Sequence, residues 1–412
     1  MKGVFVSKSS GVLLSVALCA ALCVGACSSA GDAGGDADWL GEGGTGNSGP
    51  GAGSGLTGGM GAASGGGGDG GGEVCGVDVC PAPQGGVTFD CKHRFLYGIN
   101  YAWRHFGADF GGIAAWQQPG VAADPGAHAA RLADIRAHGG SVVRWWVFPD
   151  FRGDGVTFDG SDQPTGLGAT AVADLHKALE LAAQEDVYLM PCLFSFDAFR
   201  PSETVAGIWV PGITPMVTDA GRRAMLLENV VRPLARAAAA SPHRGRLIAW
   251  DVINEPEWAM TGTSPYDDED YDPMPELSSV SHAQMEAFVA GVIGVLREES
   301  DALITVGGAA MKWAKAWSAV DVDFYQFHMY DWIDTYWPYT LSPADFGVDD
   351  KPVVMGEFPL RGLSGASYGA LVESWYGNGY AGAMGWHYDE ASPQELTAMK
   401  AFADGQVCET RY

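Results

Sequence analysis

The sequence predicts an α/β fold, a closed (β/α)8 TIM barrel carried behind an exported N-terminus. From about residue 94, short apolar runs alternate with amphipathic helical stretches, the pattern of a parallel sheet with crossover helices. The alternation repeats eight times in order, the count a closed barrel needs. Two of the apolar runs, the fourth and the seventh, end on a glutamate just ahead of a proline. In a parallel barrel, that C-terminal mouth is where chemistry is built.

The N-terminus reads as processing signal, not fold. Lys2 and Lys8 precede an apolar run, Gly11 to Val24, shaped like a signal h-region and short for a membrane span. Val24-Gly25-Ala26-Cys27 is similar to a lipoprotein signal, with Cys27 as the lipidation site; ordinary cleavage near Ala26 is the alternative. Residues 27–73 are Gly, Ser, Ala and Asp with few large apolar side chains, so they cannot offset their chain entropy and serve as a tether. The expected organisation is a signal over 1–26, a tether over 27–73 and a barrel domain over 74–412, tied to a membrane only through a Cys27 anchor and otherwise monomeric.

Export makes the cysteines readable as disulfides. Setting aside Cys19, Cys23 and Cys27 leaves Cys75, Cys80, Cys91, Cys192 and Cys408. Cys192 sits in an apolar run and is expected to be a buried free thiol. Of the three pairings open to the other four, Cys75–Cys80 and Cys91–Cys408 are favoured, the second as a clasp between the domain's ends. Their spacing matches no dependable zinc pattern.

The strands follow in order. The first is Phe95-Leu-Tyr-Gly-Ile-Asn100. Asp124-Pro125 supplies a cap and first turn for a helix ending at Gly139-Gly140. The second strand is Ser141 to Phe148, followed by a helix with Val172, Leu175, Leu179 and Ala182 on one face. The third strand is Tyr188 to Phe196. Pro233 should kink the helix from about Gly221 to Ala240. The fourth strand runs into Asn254-Glu255-Pro256, where proline ends the ladder. Ser281 and Gln284 form a capping box for a helix with Met285, Phe288, Val289, Val292, Ile293 and Leu296 on one stripe. Strands five to eight are Ile304–Gly307, Asp323–Tyr330, Pro352–Phe358 and Ala381–Trp386. A short helix near Ala309–Trp317 separates five from six. A last helix opens with the capping box Ser392/Glu395.

A net charge of −26 repels phosphate backbones, so nucleic acid is excluded as a partner, whereas a neutral substrate is indifferent to that field. The acidity equally serves solubility. The chemistry lies in Glu255 and Glu357. Two carboxylates closing two buried strands at one mouth form the arrangement that glycosidic cleavage uses, one protonated and one ionised.

Trp250-Asp-Val-Ile-Asn-Glu-Pro256 and Val354-Met-Gly-Glu357, with Arg144, His328, Tyr330 and Trp386, resemble the clan A retaining glycoside hydrolases with (β/α)8 barrels, and glycoside hydrolase family 5 cellulases and mannanases above all. The resemblance covers roughly residues 93 to 390. It implies Glu255 as general acid/base and Glu357 as nucleophile. It also implies Asn254 on the sugar's 2-hydroxyl, Arg144 and Tyr330 against the nucleophile, His328 beside the acid and Trp386 as an apolar platform. The third strand departs from the pattern: Phe194-Ser-Phe-Asp197 stands where many relatives carry a histidine, which leaves the substrate open between β-1,4-mannan and β-1,4-glucan. No cofactor or metal is implied.

Plainer readings compete. Arg144 could be a structural charge and His328 a satisfied core histidine. Each of Trp103, Trp145, Trp146, Trp258 and Trp332 could be core or sugar platform. The acidic run Asp267 to Asp272 lacks EF-hand spacing and reads as a solvated loop ahead of a calcium site. A surface-tethered, non-catalytic carbohydrate-binding barrel is the alternative function; no nucleophile elbow supports a serine hydrolase.

Overall fold

The computed structural model describes Cys75 and residues 78–331 and 338–412. The expected signal, the tether, Cys27 and Trp332 lie outside the described residues. Within them no helix is long and apolar enough to cross a membrane.

Eight parallel strands close in sequence order. They are β1 Leu96–Asn100, β2 Val142–Trp146, β3 Tyr188–Ser195, β4 Ala249–Asn254, β5 Leu303–Gly308, β6 Tyr325–His328, β7 Val353–Glu357 and β8 Gly382–Gly385. Nearly every strand residue is buried, because one face fills the barrel and the other lies under helices. Among the described residues the main helices are α1 Pro125–Ala137, α2 Ala171–Gln184, α3 Ala220–Leu226, α4 Arg232–Ala240, α5 His282–Glu299, α6 Tyr368–Gly377 and α7 Pro393–Gly405, with one further short turn of helix at Thr214–Thr218. The expected capping boxes Ser281/Gln284 and Ser392/Glu395 are both formed. The expected α5 stripe is buried throughout.

Two expectations change in detail. The helix around Pro233 is interrupted by a π-helical turn, Leu227–Val231, between α3 and α4. Proline has no N–H and crowds the carbonyl four residues back, and a widened turn just ahead of it relieves both problems. Between β5 and β6 the expected helix is only the 3-10 turn Met311–Trp313. Indoles cover the barrel there instead: Trp313 and Trp317 are each 1% exposed, and their N–H groups reach the Asp270 carbonyl at 3.2 Å and Glu257 at 2.7 Å.

The disulfide pairing also changes. Cys80 is bonded to Cys408, with Cα atoms 5.4 Å apart, and Cys75 and Cys91 are disulfide-bonded as well. The clasp between the domain's ends therefore exists but uses Cys80. Arg94 explains the choice, since it donates to the Arg411 carbonyl at 2.7 Å and to Asp78 at 2.5 and 2.9 Å, laying residues 78–80 beside the C-terminus. Cys192 is the expected buried free thiol.

The interior has three tiers. Val87, Leu96, Val142, Met190, Ile248, Phe324, Val354 and Met384 plug the N-terminal end of the barrel, with Tyr412 packed against them. The main core lies between strands and helices. A smaller aromatic cluster of Trp146, Trp103, Phe106 and Trp386 sits at the opposite end, around the residues that close the strands.

Candidate active site

Strand register delivers the site. Asn254 of β4 pairs with Ser195 of β3 and Gly307 of β5, Asn100 of β1 pairs with Arg144 of β2, and His328 of β6 pairs with Glu357 of β7. Register shifts between Asp251 and Asn254 and between Phe327 and His328 bend these strands at the mouth, which re-aims the side chains that follow. Glu255 itself sits at φ 47°, ψ 48°, the left-handed region that a non-glycine residue rarely adopts. Its N–H donates to the Gly307 carbonyl at 2.6 Å, which holds that turn in place.

The centre of the site is Arg144, with no solvent exposure. Its five N–H groups are all used. Nε donates to Asp251 at 2.8 Å, one terminal nitrogen to Glu357 at 2.5 Å and Asn100 at 3.0 Å, and the other to Asn254 at 2.8 Å and the Cys192 sulfur at 3.5 Å. Asp251 in turn accepts from the Gly307 N–H and from Gln326, both at 2.9 Å. Gly307 is required by this crowding: a Cβ there would lie 2.8 Å from Arg144 and 3.0 Å from both Asp251 and Gln326. With Asn254 Oδ1 turned to Arg144, the donor side of that amide faces away from the guanidinium.

The two carboxyls differ. Glu357, 3% exposed, accepts from Arg144 on one oxygen and from the Tyr330 hydroxyl at 3.0 Å on the other. Burial raises its pKa, while His328, Arg144 and the Tyr330 bond oppose that rise. Glu255 meets no cation at bonding distance; its Oε2 accepts from the Trp258 indole at 2.9 Å and its Oε1 lies 2.7 Å from His328 Nδ1. Burial pushes its pKa up to about 7, and burial lowers that of His328 to about 4, so the imidazole is neutral. The site thus separates its carboxyls: a proton resides on Glu255 more readily than on arginine-paired Glu357. One oxygen of each lies within 4.8 Å of one oxygen of the other, and His328 Nδ1 sits 2.7 Å from Glu255 and 3.5 Å from Glu357. Facing oxygens this near place the two carboxyls on the side of the close pairs, about 5–5.5 Å apart, in which one carboxyl attacks the sugar, and not of the wider pairs, roughly 6.5–9.5 Å apart, that leave room for a water. The same three side chains have metal-compatible spacing, but the Arg144 guanidinium already faces Glu357, and a cation there would meet like charge.

The tryptophans sort by strand alternation. Trp145 points outward into the core and donates to Asp109 at 2.8 Å. Its neighbour Trp146 points into the barrel mouth, 5.0 Å from the Trp103 ring and 5.6 Å from Trp386. Trp386 is partly buried at this edge. At the divergent third strand, Asp197 accepts from Ser195 at 2.8 Å, and burial together with neighbouring Asp150 pushes it up to about 6. The acidic run is tied into its loop: Asp267 accepts from the Lys315 N–H and Asp270 from Thr263. Among the described residues it gathers no three-ligand set.

Asn100, Asp251, Gln326 and Gly307 were missed from sequence. Asp251 carried a signal, since a charge inside a buried apolar run needs a partner. Asn100 carried another, closing its strand as Asn254 closes its own.

No family model matches the chain. It is similar to a mannan endo-1,4-beta-mannosidase of Mytilus edulis, 24% identical over 337 residues that span 74% of this chain and 87% of that protein. A mannan endo-1,4-beta-mannosidase of Cryptopygus antarcticus is 26% identical over 338 residues, 72% of this chain and 80% of its own. The solved structure of beta-mannanase from the blue mussel Mytilus edulis matches with a TM-score of 0.65 at 22% identity, covering 81% of this chain and 99% of that one. The structural match establishes the (β/α)8 barrel, and the sequence relatives bear out the resemblance to barrel glycoside hydrolases.

Proposed function

We propose that the chain is an endo-acting retaining glycoside hydrolase that cleaves β-1,4-mannan by double displacement. The observation that carries it is the Glu255–Glu357 pair: two carboxyls with facing oxygens within 4.8 Å at the mouth, one beside Arg144 and one without a paired cation. Likeness to mannan endo-1,4-beta-mannosidases selects mannan over glucan. Glu357 attacks the anomeric carbon while Glu255 hands its proton to the leaving oxygen. Glu255, now ionised, takes a proton from the water that releases the glycosyl group. Tyr330 and Arg144 keep Glu357 anionic and aimed, His328 holds Glu255, Asn254 offers its amide to the 2-hydroxyl, and Trp386 supplies an apolar floor.

The disulfides fit an exported protein. We further infer that Cys27 carries a lipid and residues 27–73 tether the barrel to a cell envelope. Cell fractionation should move Cys27→Ser from membrane to soluble pools; an unchanged distribution sinks the anchor.

The test of the main reading is release of reducing ends by the purified chain from β-1,4-mannan, β-1,4-glucan and other polysaccharides. Mannan should be cleaved fastest into oligosaccharides. Calorimetric binding to mannan without cleavage over long incubation would replace this reading with the non-catalytic binding barrel.

A further inference from the structure

We propose that Trp258 is a positioning residue, whose indole N–H steers the transferable proton of Glu255 away from Oε2 and favours its ionised form. The inference rests on the reading of Glu255 as general acid/base and deepens it. An indole N–H only donates. Its 2.9 Å bond to Oε2 is strong when that oxygen is anionic and weak when Oε2 carries the proton. The proton therefore prefers Oε1, 2.7 Å from His328 Nδ1.

Among the described residues, the other charged or titratable groups around Glu255 are Arg144 from β2, His328 and Tyr330 from β6 and its end, Glu357 from β7, and Glu257 on the same turn. None of them donates to Oε2. A carboxyl that must give a proton in one step and take one in the next works best with matched tendencies to do both. Burial drives it toward the acid; Trp258 is the larger counterweight, with the Arg144 charge behind it.

The donor is held rigidly. Trp258 is 8% exposed and lies on the 3-10 turn Pro256–Ala259, its ring edge-on to Trp313 at 5.7 Å. Its carbonyl accepts from the Met274 N–H at 2.9 Å. Neighbouring Glu257 pins the turn, accepting from the Trp317 indole at 2.7 Å and the Ala309 N–H at 3.0 Å.

The experiment removes the N–H and keeps the ring, by Trp258→Phe and by replacing the indole with its benzothiophene analogue, a closer isostere should the phenylalanine variant fold poorly. Two quantities are followed in the full chain: the pH profile of kcat/KM on mannan, and the Glu255 carboxyl titration by carbon-13 NMR, assigned with Glu255→Gln. The inference expects the alkaline limb and the NMR midpoint to move upward together by about one pH unit, as one lost charge-assisted bond implies. An unmoved midpoint, or a rate loss equal at every pH, overturns it in favour of plain packing. The NMR midpoint reports on Trp258 even if wild-type chain leaves mannan intact, so failure of the functional reading shows separately.

Discussion

Arg144 and Glu357 meet at 2.5 Å inside the barrel's mouth, the arginine with no solvent exposure and the glutamate with almost none. Arg144 also bonds Asp251, Asn100 and Asn254, so one guanidinium joins side chains from β1, β2, β4 and β7. The contacts serve both readings of Arg144 offered by the sequence: the group that holds Asp251 in the core also faces the carboxyl proposed as nucleophile.

Arg144→Lys should therefore lose stability as well as rate. A lysine cannot span the forked geometry, and it leaves Asp251 or Glu357 buried without a paired cation. Denaturant unfolding should show a loss of about 3–5 kcal/mol. Wild-type stability would remove Arg144 from the centre of the network.

Replacing Glu357 by Gln should lower mannan turnover at least about a thousandfold, since no nucleophile remains. Tertiary circular dichroism should stay native. Rates near wild type would eliminate the role proposed for Glu357.

The pH dependence follows from the carboxyls. Glu255 must be protonated to act as acid, so the alkaline limb of kcat/KM should fall near its value of about 7. Glu357 must be ionised and is also raised by burial, so the acid limb should lie above the ordinary glutamate value. Stability has its own sign. Glu255 and Glu257 at about 7 and Asp109 and Asp197 at about 6 bind protons more tightly folded than unfolded. Their contribution is complete below the unfolded carboxylate value and is lost as pH rises through 6 to 7, at about 1–3 kcal/mol each. Melting temperature should be higher at pH 5 than at pH 8; the reverse order would contradict these burials.

Serine at both Cys80 and Cys408 should cost about 2–5 kcal/mol by freeing the two ends of the domain. With both proteins under reducing conditions, which also open the disulfide bonding of Cys75 and Cys91, the unfolding midpoints of variant and wild type should agree. A variant as stable as the oxidised wild type would deny the clasp its role.

Gly307→Ala tests the crowding around the arginine. The added methyl must displace Arg144, Asp251 or Gln326, with about 1–3 kcal/mol lost and activity reduced beyond what stability explains. Full activity would show that the network yields easily.

Much of this was legible in the chain because buried strands announce themselves as apolar runs and prolines mark where they stop. Glu255 and Glu357 could be paired from sequence since the strand count places both at one mouth. The Asn100 and Gln326 contacts could not, because they depend on which strands adjoin across the closed barrel and on the register shifts at its mouth. The Cys80–Cys408 pairing was hidden for a similar reason: the Arg94 contacts that bring those ends together join residues over 300 positions apart. The short link between β5 and β6 misled because Trp313 and Trp317 follow helical spacing yet serve as separate covers.

The central claim is that Glu255 and Glu357 flank a single glycosidic bond closely enough for direct attack. Proton NMR of the anomeric region during the first minutes of manno-oligosaccharide hydrolysis tests it most directly. The new reducing end should appear first as the β-anomer and then mutarotate; initial release of the α-anomer would exclude direct attack by Glu357.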